Sequence, residues 1–103
     1  MGTVEYPLLA FACEFDAVDV AEKGFFDHAI VTLEDGSRYQ LHFYDLERLA
    51  VDLRTDLRFG KACLAEPGLV IVPRVTPQNM REAAKQLVKE GYFASLKPLS
   101  EHI

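Results

Sequence analysis

The chain has 103 residues, of which 50% are apolar and 26% are charged, and its formal net charge is −5. This length and composition fit one globular domain with a substantial core, and they exclude a disordered chain. The 16 acidic residues outnumber the 11 basic ones, which are scattered, so neither nucleic acid nor an anionic membrane surface is expected as a partner.

The two cysteines, Cys13 and Cys63, have apolar neighbours and no CxxC spacing. We expect both to be buried, unreactive thiols and not part of a disulfide framework or a zinc site. Residues 1–6 carry an acid where a signal peptide carries bases, and no apolar run approaches the ~20 residues that span a bilayer. These features predict a reduced, cytoplasmic protein.

Two elements are predicted before residue 25. Residues 7–15 form a short apolar run with aromatics, which favours a buried strand, although the Leu and Ala residues are also compatible with a helix. Residues 16–24 predict a short helix with Asp16 as its N-cap and Gly24 as its C-terminal stop.

Residues 26–44 predict a β-hairpin around Glu34, Asp35 and Gly36. A two-residue type I′ turn and a three-residue loop with a G1 bulge at Gly36 both fit this turn sequence. The bulged register gathers the apolar residues on one face, namely Ala29, Val31, Leu33, Tyr39, Leu41 and Phe43. The other face then holds His28, Ile30, Thr32, Arg38, Gln40 and His42. Because the two-residue register mixes polar and apolar residues on both faces, the pattern favours the bulge.

A helix is predicted to follow, capped by Asp45 and running to about Phe59, with Gly60 just past its end. Its apolar stripe consists of Leu46, Leu49, Ala50, Leu53 and Leu57. Residues 61–65 and 69–72 flank the turn sequence 66–68 and predict a second hairpin. The strand 69–72 is apolar on both faces, so we expect it inside the sheet.

The last helix is predicted from Pro77 to Glu90, with Thr76 as its N-cap and Gly91 past its end. Its stripe consists of Met80, Ala83, Ala84, Leu87 and Val88, and residues 92–96 predict a short final strand. This order predicts a single α+β domain over residues 1–103. An antiparallel or mixed β-sheet built from two hairpins would have the two main helices packed on one face.

The bulged register makes His28 and His42 direct cross-strand partners, with Cβ atoms about 4.5–5.5 Å apart. Two imidazoles at this spacing can bind zinc, nickel or copper when one or two further ligands join them. Asp27, Glu14, Asp16 and His102 are candidate further ligands, and their spacing selects none of them. Two histidines on a half-exposed sheet face are more often simply solvated, so the metal site is the alternative hypothesis.

The sequence contains no catalytic constellation. The cysteines have apolar neighbours, and no serine lies in a GxSxG pattern. Phe25 and Phe26 are adjacent in a strand and point to opposite faces, so aromatics should emerge on the outer face of the sheet, where they favour a subunit interface. We therefore expect a non-enzymatic domain without a cofactor, acting through protein contact as a homodimer. The negative charge also suits a basic protein partner.

Overall fold

The computed structural model describes residues 5–99, which form a four-stranded mixed sheet and three α-helices. The strands β1 (Leu8–Phe11), β2 (Phe25–Thr32), β3 (Arg38–Tyr44) and β4 (Leu69–Ile71) lie in the order β1-β2-β3-β4. The first three pair antiparallel, and β4 pairs parallel with β3. The helices are α1 (Ala17–Lys23), α2 (Leu46–Arg58) and α3 (Pro77–Lys89). The predicted α+β class is confirmed.

The hairpin of β2 and β3 has the bulged register. The N–H of Leu33 donates to the carbonyl of Ser37 at 2.9 Å, and Gly36 has a φ of +89°, in the left-handed region that glycine occupies without strain. Val31 then pairs with Tyr39. The predicted inner face is confirmed, since Ala29, Val31, Tyr39, Leu41 and Phe43 are all buried.

The inner face is covered mainly by α3. Met80 and Ala84 of α3 are buried in the same cluster as the β2 and β3 residues. The N-terminus of α3 is as predicted, because the hydroxyl of Thr76 accepts from the N–H of Asn79 at 3.2 Å. The short helix α1 is also confirmed, with the carboxylate of Asp16 capping it and Gly24 at a φ of +77°.

The predicted second hairpin is wrong. Residues 61–65 form no strand, and β4 pairs parallel with β3 at the edge of the sheet, where Ile71 is 51% exposed. The physical reason is the position of α2 between β3 and β4. A helical crossover returns the chain to the starting end of the sheet, so that the next strand runs parallel to the preceding one. Residues 61–65 form part of the connection from α2 back to β4.

Two other predictions about the sheet and the helices are wrong. The segment Tyr92–Ser95 is a 3₁₀ helix and not a strand. This turn directs Phe93 into the core, where its ring lies 5.0 Å from that of Tyr39. Only α3 of the two main helices packs its stripe on the inner face, because α2 has no buried residue.

The prediction that both cysteines are buried is also wrong, since Cys13 and Cys63 are exposed. Cys13 follows the end of β1, and Cys63 lies in the connection between α2 and β4. Apolar neighbours in sequence do not bury a residue when the segment itself runs over the surface.

Candidate functional site

The two histidines lie at an irregularity of the hairpin. Regular pairing of β2 with β3 stops at Ala29 opposite Leu41 and resumes at Phe26 opposite Phe43. Asp27 and His28 therefore both lie against His42, which is the two-against-one arrangement of a β-bulge. The predicted direct pairing of His28 with His42 is therefore wrong, because the bulge sets two residues of β2 against His42.

Each imidazole has a carboxylate neighbour of its own. Nε2 of His28 is 3.2 Å from Oδ1 of Asp27, and the ring lies edge-on to that of Phe26, with centroids 5.9 Å apart. Nδ1 of His42 is 3.7 Å from Oε2 of Glu66. Among residues 5–99, no group of three or more His, Cys, Asp or Glu side chains is arranged to hold a metal ion.

Three of the suggested ligands, Glu14, Asp16 and Asp27, line one pocket together with His28, and His42 is not part of that lining. Asp16 caps α1 through hydrogen bonds from the N–H groups of Val18 and Asp19, and His102 lies outside the described residues. Metal binding by His28 and His42 stays the alternative hypothesis.

The start of α2 is held against the sheet by an aromatic and ionic cluster that we call the α2 anchor, consisting of Phe25, Tyr44, Arg48 and Asp52. The rings of Phe25 and Tyr44 lie 5.8 Å apart, and the guanidinium of Arg48 lies 4.5 Å from the Phe25 centroid. Nε of Arg48 is 3.0 Å from Oδ1 of Asp52. The aromatics expected as an open interface on the outer sheet face are therefore covered by a side chain of the same molecule.

Tyr44 is the most buried member of the α2 anchor, with 7% of its surface exposed. Burial raises the pKa of its phenol above the ordinary value, and the nearby carboxylates of Glu66 and Asp52 raise it further. The neutral phenol is therefore the form that the folded protein favours.

A glycine contact fixes the entry into α2. The N–H of Asp45 donates to the carbonyl of Gly24 at 2.8 Å, while Oδ1 of Asp45 accepts from the N–H of Arg48 at 2.8 Å and caps the helix. A Cβ on Gly24 would lie 2.6 Å from Oδ2 of Asp45. Gly24 is thus required both by its positive φ and by the close approach of the capping carboxylate.

The anchor turns the polar side of α2 toward the rest of the molecule. Arg48, Asp52 and Asp56 are the more covered side chains, with exposures of 33%, 26% and 28%. Three leucines on another side of the helix are more exposed, namely Leu46 at 70%, Leu53 at 36% and Leu57 at 50%. We call Leu46, Ala50, Leu53 and Leu57 the α2 stripe.

The predicted apolar stripe of α2 also included Leu49 and was assigned to the core. Leu49 is half-buried, whereas the residues of the α2 stripe are exposed. A periodic pattern shows which face of a helix is apolar but not what covers that face. The i, i+4 spacing of Arg48 and Asp52 is typical of an ion pair, but it does not show that Arg48 lies over Phe25 and sets the rotation of the helix.

No helix within residues 5–99 is both long and apolar enough to cross a membrane. Comparison of the chain with protein families, with curated proteins and with solved structures found no match.

Proposed function

We propose that this protein is a non-enzymatic domain that acts through protein–protein contact, including self-association, and that the α2 stripe is its contact surface. One observation carries the proposal: α2 is a 13-residue amphipathic helix in which no residue is buried. Contiguous apolar surface of this kind on a soluble domain is typical of interaction sites.

The free energy of burial favours such contact. Covering a fully exposed leucine stabilises a complex by about 1.5–3 kcal/mol before the costs of association are subtracted. Helices of this length draw most of their stability from packing of the apolar face, and within the described residues the apolar face of α2 is left exposed. A partner chain can supply the missing packing.

A matched pair of variants tests the proposal. Leu57 lies on the α2 stripe and is 50% exposed, whereas Val51 is 49% exposed and lies about 120° away around the same helix. Light scattering over a wide concentration range should show self-association of the natural protein. We expect Leu57→Glu to abolish it and Val51→Glu to leave it unchanged, with circular dichroism confirming that both variants stay helical.

Three results would count against the proposal. A monomeric mass for the natural protein at all concentrations would remove self-association. Equal effects of Leu57→Glu and Val51→Glu would show that the α2 stripe is not the contact surface, and so would association that persists in both variants.

A further inference from the structure

We infer that the α2 stripe is covered by the α2 stripe of a second copy running antiparallel, with Glu47 of each copy facing Arg54 of the other. This inference rests on the proposed function and names its partner and its geometry. It depends on the spacing of the stripe and on the charges beside it.

The spacing of the α2 stripe is that of a two-helix seam. Leu46, Ala50, Leu53 and Leu57 follow one another at intervals of four, three and four residues, which is the alternation that keeps a seam facing a partner helix. Antiparallel alignment about a two-fold axis between residues 51 and 52 sets Leu46 against Leu57 of the second copy. It also sets the small Ala50 against Leu53, so that small and large side chains interdigitate.

The charged residues Glu47 and Arg54 beside the α2 stripe face opposite charges when the two helices are antiparallel, but not when they are parallel. Glu47 and Arg54 each follow a stripe leucine by one residue, so they lie on the same side of the seam. Antiparallel helices bring that side of one helix against the same side of the other, which pairs Glu47 with Arg54 at both ends of the seam. Parallel helices would instead set Arg54 beside Leu49, with no charge complement.

Both flanking residues are available for such pairing. Glu47 and Arg54 are exposed, and within residues 5–99 neither forms an ion pair. Arg54 makes one long hydrogen bond, from Nε to the carbonyl of Ala50 at 3.3 Å. Asp56 lies on the other side of the seam, and its Oδ1 is 3.9 Å from Nζ of Lys61.

A lipid surface fits the same helix less well. Helices that lie on anionic membranes are rich in Lys and Arg on their polar face. The polar face of α2 is electrically balanced, with Glu47, Asp52 and Asp56 against Arg48, Arg54 and Arg58. A second copy of the chain matches both the apolar and the charged pattern.

The size of the seam sets the expected affinity. A 13-residue helix is about 20 Å long and roughly 10 Å wide, which is a small footprint against the roughly 800 Å² that each partner contributes to a standard interface. We therefore expect a reversible dimer with a dissociation constant in the micromolar range. Sedimentation equilibrium from about 10 μM to about 500 μM covers this range.

A charge-reversal cycle tests the antiparallel geometry. Arg54→Glu places Glu47 against a glutamate at both ends, and Glu47→Arg places Arg54 against an arginine. Each single change should weaken dimerisation by roughly 10- to 30-fold, since each exposed pair contributes modestly and two pairs change from attraction to repulsion. The double variant Glu47→Arg, Arg54→Glu should recover most of the natural affinity. Arg58→Glu, which makes the same change of net charge off the seam, should have little effect.

The outcomes separate the two proposals. A dimer that is sensitive to Leu57→Glu but shows no recovery in the double variant overturns the antiparallel geometry while self-association through the α2 stripe remains. A monomer up to about 500 μM overturns the antiparallel geometry and self-association alike. An Arg58→Glu effect as large as that of Arg54→Glu shows that only net charge matters, and it also overturns the antiparallel pairing.

Discussion

Replacement of Gly24 by alanine tests the account of how α2 is attached. Gly24 has a φ of +77°, and an added Cβ would lie 2.6 Å from Oδ2 and 2.7 Å from Oδ1 of Asp45. The Asp45 carboxylate cannot stay in place, so the variant should lose the hydrogen bond that caps α2 as well as the conformational freedom of glycine.

The two costs can be estimated separately. A left-handed conformation costs a non-glycine residue about 1 kcal/mol, and loss of an N-cap costs about 1 kcal/mol. We therefore expect Gly24→Ala to lower the free energy of unfolding by about 2 kcal/mol. For a domain of this size, that corresponds to a decrease of roughly 1 M in the urea midpoint.

Gly91 supplies the matched control. Its backbone angles, φ 73° and ψ 20°, nearly equal the 77° and 15° of Gly24, and it also follows a helix. A Cβ on Gly91 would meet nothing within 4 Å. Gly91→Ala should therefore cost only the backbone component, about 1 kcal/mol.

Urea unfolding followed by circular dichroism measures these differences, and an Asp45→Ala background completes the cycle. Without the Asp45 carboxylate, Gly24→Ala has no cap to displace, so its cost should fall to that of Gly91→Ala. The coupling energy would then be about 1 kcal/mol. Equal losses for Gly24→Ala and Gly91→Ala in the natural background would show that the contact with Asp45 adds no cost, and so would strict additivity with Asp45→Ala.

Two further predictions concern the outer side of the sheet. Burial and the carboxylates of Glu66 and Asp52 raise the pKa of Tyr44 above its ordinary value of 10.0, so the stability linked to this group is complete below that value and is lost as the pH rises through the raised pKa. Chemical denaturation at a series of alkaline pH values should show a smaller decline for Tyr44→Phe, and an identical decline would contradict the assignment. For the histidines, we expect zinc, nickel and copper to leave the melting temperature unchanged, because His28 and His42 have separate carboxylate neighbours. A rise in the natural protein that His42→Ala abolishes would instead support the metal-site hypothesis.

Local chemistry made the hairpin and the helix ends predictable. The turn at Gly36 and the caps at Asp16, Asp45 and Thr76 each depend on residues a few positions apart, so the information lies within one short segment. The register of β2 and β3 could be derived from the turn as far as Ala29 opposite Leu41, because only the register with the bulge at Gly36 buries Val31 and Leu41 on the same face. The second bulge, between Phe26 and Ala29, was not predicted.

The direction of β4 and the exposure of α2 could not be derived in the same way. Both depend on contacts between residues far apart in sequence, such as the position of Arg48 over Phe25 and the pairing of β4 with β3. An apolar triplet such as Leu69–Ile71 is equally compatible with either strand direction and with either an inner or an edge position. The α2 stripe was missed as a candidate site for this reason. The sequence showed that α2 has an apolar side, but the prediction placed the α2 stripe together with Leu49 against the core.

The attachment of α2 by its first turns divides the molecule into two levels of local stability. The backbone hydrogen bonds of α2 can open without exposing the buried cluster, because that cluster belongs to the sheet, α1, the connection between β4 and α3, α3 and the 3₁₀ turn. Amide hydrogens of residues 46–58 should therefore exchange by local opening, while those of β2 and β3 wait for global unfolding. A partner bound to the α2 stripe would slow amide exchange in α2 and not in the sheet. The protection of α2 would therefore approach that of β2 and β3 only in the complex.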